Sequence, residues 1–157
     1  MKIDVTNLQD MVPVDRRAVR RVARAALGDL PGCYSFVFVD DRQMRDVNRE
    51  HLGRDRTTDV IAFSFGDAPV THDDCAGEVI VSAQRALEEA RRRKLDVAAE
   101  LALYIVHGSL HMVGFEDATP RQAAEMHTRE KELLAELGYD VERLWKPLGA
   151  APERSKD

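Results

Sequence analysis

Apolar positions recur along this chain with two periods, and the switches between them divide it into elements. Lys2 to Thr6 alternates polar and apolar residues, as a strand with one buried face does. From Asp15 the period lengthens. Val19, Val22, Ala23, Ala26 and Leu30 fall at three- and four-residue steps while Arg16, Arg17, Arg20, Arg21 and Arg24 lie elsewhere on the wheel, so a helix is expected until Pro31-Gly32 stops it. Tyr34 to Val39 is a β-branched and aromatic strand, after which Asp40-Asp41 can cap a short helix through about His51. Thr57 to Phe65 reads as a third strand, Gly66 to Ala76 as a loop, and Gly77 to Ser82 as a fourth strand.

The second half is helical. Ser82 can cap a helix over Arg85 to Lys94, and Asp96 the next one, Val97 to about Val113. That helix is apolar on nearly every face, which predicts a buried central position. Thr119-Pro120 opens a last long helix to Leu137, ended by Gly138, and Pro147 to Asp157 reads as a flexible tail. With no internal repeat and no dividing linker, the expectation is one domain over residues 1–157 of the α/β (α+β) class. It would hold a mixed four-stranded sheet and about five helices, one of them buried and bearing histidines.

Composition narrows the function classes. The chain has 157 residues, a size that buries a core without disulfides, and its 44% hydrophobic and 32% charged residues are globular in balance. A net charge of −5 excludes a general basic coat for nucleic acid and leaves room only for a local basic groove. Cys33 and Cys75 form no Cys-x-x-Cys pair and suit reduced thiols, so a cytoplasmic location is expected. No stretch is apolar for long enough to form a membrane helix, and no membrane partner is expected.

The candidate chemistry lies in His107-Gly108-Ser109-Leu110-His111-Met112-Val113-Gly114-Phe115-Glu116-Asp117. Four residues apart on a helix, His107 and His111 project from one face and can share one ion. Gly114 can end the helix in a left-handed conformation, and Asp117 just beyond can bring a carboxylate to a third corner, with a fourth position left for water. A hydrogen-bonded core role for the histidines is the plainer alternative. Two imidazoles on the most buried helix nevertheless need partners, and an ion supplies them. Glu116 is a close rival to Asp117, and His127 and His72 are more distant ones. The spacing also matches the metzincin proteases, but these place a general-base Glu after the first His, where this chain has Gly108.

The same segment resembles the signature His-Gly-x-Leu-His-Leu-x-Gly-Tyr-Asp-His of the YbeY family, bacterial metal-dependent endoribonucleases of ribosomal RNA maturation. Asn48 to Phe65 is similar to the family's Asn-x-x-(Tyr/Phe)-Arg-x-x-Asp-x-x-Thr-Asp-Val-Leu-Ser-Phe, and Gly77 to Ser82 to its Gly-Asp-Ile-Val-Ile-Ser strand. The resemblance implies a bound divalent ion, zinc, held by His107, His111 and Asp117. It also implies cleavage of single-stranded RNA in ribosomal RNA processing, notably at the small-subunit 3′ end, with the small ribosomal subunit and its proteins as partners.

Two departures matter. Asp117 stands where the family has a third histidine, which lowers the net charge of a divalent centre from +2 to +1. Leu52 stands where the family has an arginine held to engage phosphate, a role that Arg54 or Arg56 could take. These departures favour a second expectation, a noncatalytic ribosome-assembly or adaptor protein that keeps the fold and a structural metal. The arginines of the first helix and Arg91-Arg92-Arg93-Lys94 could meet an RNA backbone or could simply form a solvated face.

Overall fold

The computed structural model describes residues 1–52, 59–65 and 75–144, with only the backbone of His51 and Leu52. In chain order the elements are β1 (Lys2–Asn7), α1 (Arg16–Leu27), β2 (Cys33–Val39), α2 (Asp41–Leu52), β3 (Val60–Ser64) and β4 (Cys75–Ser82). The helices α3 (Ala83–Arg93), α4 (Val97–Val113), α5 (Pro120–Glu136) and α6 (Val141–Leu144) follow. The four strands form one sheet in the order β1-β2-β4-β3, parallel except for β3, which runs antiparallel at one edge. This is the mixed sheet expected, with α6 as one further turn of helix among the described residues.

Side-chain alternation sends the two faces of the sheet into different layers. Ile3, Val5, Tyr34, Phe36, Phe38, Val79 and Val81 join α1, α4 and α5 in the main core, while Val39, Ile61 and Ile80 pack with Met44 of α2 on the other side. Helix α4 lies against β3, β4, α1, α3 and α5, and every residue from Glu100 to Leu110 is buried. The anticipated caps are in place. Ser82, Asp96 and Thr119 each accept from a backbone N–H of the helix they open, and Asp40 exchanges hydrogen bonds of 2.8 and 2.9 Å with Gln43.

Three local expectations need correction. Helix α1 ends at Leu27 rather than running to Pro31, because Gly28 adopts φ 62° and donates its N–H back to Arg24; Leu27 fills the core and Leu30 is only half-buried. Strand β4 begins at Cys75, inside the stretch read as a loop, since Ala76 is an extra residue between the pairs Cys33–Cys75 and Tyr34–Gly77. The arginines of α1 are not simply a solvated face, for Arg16 donates to the Val5 carbonyl and Arg20 to that of Ile3, at 3.2 Å for Arg20. They cover the outer carbonyls of edge strand β1. Thr57, Thr58 and the tail from 147 lie outside the described residues.

Candidate metal centre

The site is built at the C-terminal end of α4. Gly108 lets this helix approach the sheet, since a Cβ there would lie 2.5 Å from Val79 Cγ1 and 3.2 Å from Val60 Cγ2. The position after the first histidine therefore faces packed valines. A metzincin glutamate would be driven into the sheet there rather than toward a substrate, so this position has no room for the base that metzincins carry.

His107 and His111 occupy the neighbouring face, with ring centroids 4.8 Å apart and planes nearly perpendicular at 84°. Each ring is oriented through Nδ1. His107 Nδ1 lies 2.6 Å from Glu130 Oε2, and His111 Nδ1 lies 3.0 Å from the Phe115 carbonyl oxygen. A carbonyl can only accept, so His111 Nδ1 is the donor; a carboxylate asks the same of His107. Both Nε2 atoms are then left with lone pairs, and they face each other at 3.3 Å.

The helix ends through Gly114, whose φ of 110° lies in the left-handed region. Its N–H and that of Phe115 return to the carbonyls of His111 and Leu110. This reversal presents the Phe115 carbonyl to His111 and carries Asp117 over the imidazoles, its Oδ2 lying 3.6 Å from His107 Nε2 and 3.8 Å from His111 Nε2. A triangle with these sides has a circumradius of about 2.1 Å, the length of a zinc–nitrogen bond. Asp117 and Glu130 have no lysine or arginine within ion-pair reach among the described residues. Three acceptors thus converge where the described residues supply no lysine or arginine, and the donor set fits a divalent ion. Among the described residues, these three form the only such cluster.

The electrostatics separate the two rings. Burial opposes a charge on His107, but the hydrogen bond and charge of Glu130, with Asp59 and Asp117 behind them, outweigh it and raise its pKa. Burial and then the neighbouring His107 lower the pKa of His111, against the pull of Asp117 and the Phe115 carbonyl. Asp59 is buried, with Oδ1 accepting from the Val60 N–H at 2.8 Å, so it serves as a strand-start cap while acting on His107 through its charge.

The three residues singled out in the sequence therefore come together. Glu116 and His127 are exposed and stand outside the cluster. Arg54, Arg56, His72 and the side chains of His51 and Leu52 lie outside the described residues. One residue was missed. Glu130 stands among the polar residues that follow His127 on α5, yet it is only 2% exposed. The available signal was its place on the apolar stripe of Met126, Leu133 and Leu134, where an acid is out of pattern. The second basic run is also partly internal. Arg93 is buried against Glu100 at 3.4 Å, and Arg92 pairs with Glu89 at 2.8 Å.

Comparison with known proteins bears on this geometry. The family model described as Endoribonuclease YbeY matches residues 4–138. The chain is 35% identical over 144 residues to an Endoribonuclease YbeY of Geobacter sulfurreducens, covering 87% of this chain and 96% of that one. It is 34% identical over 151 residues to that of Syntrophus aciditrophicus, covering 90% and 94%. The solution structure of TM1509 from Thermotoga maritima shares the fold at a TM-score of 0.58 and 21% identity, over 96% of this chain and 94% of that one. A histidine pair, a glycine turn and a carboxylate, carried on the buried helix of a chain matched over nearly its whole length, place this protein in the YbeY family of endoribonucleases.

Proposed function

We propose that this endoribonuclease hydrolyses single-stranded RNA with a divalent ion, zinc, held by His107, His111 and Asp117, and that its substrate is ribosomal RNA during maturation of the small-subunit 3′ end and ribosome quality control. The observation that carries the metal reading is the meeting of two Nε2 lone pairs and a carboxylate oxygen with no lysine or arginine paired to it among the described residues. Two imidazoles and one carboxylate are a three-donor set of the kind that leaves catalytic zinc an open position. When bound, such an ion supplies Lewis-acid polarisation of a phosphoryl oxygen and activation of water.

The chain's own contributions are separate. His107 and His111 present their Nε2 atoms because Glu130 and the Phe115 carbonyl engage Nδ1. Asp117 adds an anionic oxygen, which makes the centre a weaker Lewis acid than three histidines would. Arg54 and Arg56 enter on side-chain chemistry alone, since a planar guanidinium matches phosphate oxygens in two places. Small-subunit partners and a cytoplasmic location belong to the same proposal. In its support, no helix among the described residues is long and apolar enough to cross a membrane, and both cysteines are free.

The test is cleavage of single-stranded RNA by the pure chain with and without a chelator, followed by zinc readdition. Chelation is expected to stop cleavage and zinc to restore it. Activity indifferent to chelator would refute the metal reading, and a zinc-loaded chain with no cleavage would favour the adaptor alternative.

A further inference from the structure

Resting on that reading of the site, the geometry points to Glu130 as the positioning residue for the metal: it fixes His107 in the Nδ1–H tautomer and strengthens Nε2 as a donor. The contact is short, 2.6 Å, and closed to water, with His107 8% and Glu130 2% exposed. Every partner of the Glu130 carboxylate among the described residues is this one imidazole. A buried carboxylate whose one partner among the described residues is an imidazole gains little as a stabilising contact, because removing it from water costs several kcal/mol on the usual scale. Its single bond instead settles which nitrogen of His107 keeps the proton, and a negative charge on the far side of the ring makes the near side more basic.

The second imidazole supplies an internal contrast. His111 is oriented by the Phe115 carbonyl, a neutral acceptor from its own turn, and gains no such charge. The two histidines, alike in the sequence motif, are therefore unequal ligands. The stronger one depends on α5, 23 residues further along the chain.

The experiment uses the full chain carrying Glu130→Gln or Glu130→Ala. Glutamine keeps an oxygen that can accept from Nδ1 and removes the charge; alanine removes both. Zinc affinity is measured by competition with a chromophoric chelator. Outer carboxylates of this kind contribute about 10- to 100-fold in affinity, so Gln is expected near the lower figure and Ala near the upper. A merely structural role would track thermal stability, whereas a positioning role weakens zinc binding in Glu130→Gln even where its metal-free melting midpoint matches the parent.

Nitrogen-15 spectra of the metal-free proteins give a second readout. At a pH above the folded pKa of His107, they should show this ring as the Nδ1–H tautomer in the parent and as a mixture in Glu130→Ala, with His111 unchanged in both. Zinc affinities within twofold of the parent in both variants, or an unaltered His107 tautomer in Glu130→Ala, would overturn the inference. A parent chain that takes up no stoichiometric zinc would sink the metal reading instead, and the tautomer spectra would still decide what Glu130 does to His107.

Discussion

Helix α4 carries a buried polar cluster near each end, and the two are finished differently. Near its N-terminus, Glu100 is fully buried, and the chain brings it a cation from α3: Arg93 lies 3.4 Å away and also reaches toward Glu89. Near its C-terminus, His107, His111 and Asp117 converge with Glu130 behind them, and no lysine or arginine pairs with either carboxylate among the described residues. Among the described residues, one helix thus separates a buried carboxylate with an arginine beside it from a cluster with none. The first holds α3 to α4; the second is available for chemistry.

The comparison breaks most completely at the histidines. His111→Ala should abolish stoichiometric zinc by elemental analysis and chelator-sensitive RNA cleavage, while far-ultraviolet circular dichroism stays that of the parent; retained metal at full occupancy would sink the site. Removing the cation at the other end should have the opposite profile. Arg93→Ala removes the cation 3.4 Å from buried Glu100 and should cost about 3–5 kcal/mol in urea unfolding, with zinc stoichiometry unchanged in whatever protein folds.

Zinc itself should stabilise the parent by about 2.7 kcal/mol at a hundredfold excess over its Kd, and leave His111→Ala unmoved. Gly108→Ala tests the shared scaffold. A methyl 2.5 Å from Val79 Cγ1 overpacks a closed interface and should lower stability by roughly 1–3 kcal/mol.

The smallest expected effect is a pH dependence of the metal-free chain. His107 has a raised pKa, so its contribution is present below the unfolded value of about 6.5 and is lost as pH rises through the folded value. His111 has a lowered pKa, so its contribution is present above about 6.5 and is lost as pH falls through the folded value. Stability should therefore pass through a shallow maximum near pH 6.5 in urea titrations. Histidine substitutions that leave this maximum in place would count against the coupling of the two rings.

What could be read in the sequence was what is local. The cap at Asp96, the apolar helix after it, the stop at Gly114 and the set of His107, His111 and Asp117 are all encoded within a few turns of one another, and the structure has each of them. Glu130 was invisible because its partner lies on another helix, and only tertiary packing says which side of α5 turns inward. The arginines of α1 were ambiguous for a similar reason. Nothing in their own spacing reveals that Arg16 and Arg20 meet the carbonyls of an edge strand. The end of α1 was misjudged because two stop signals lie within five residues, and Gly28 acts before Pro31-Gly32.

The reversal at Gly114 has a consequence for how the site assembles. It keeps all three donor side chains within the eleven residues from His107 to Asp117, so the loop that must close to gather them is short and its entropic cost small. The orienting carbonyl of Phe115 belongs to the same stretch. Only Glu130 must arrive from a distance. Helix α4 and the turn after it are enough to gather the three side chains, and α5 adds the carboxylate behind His107.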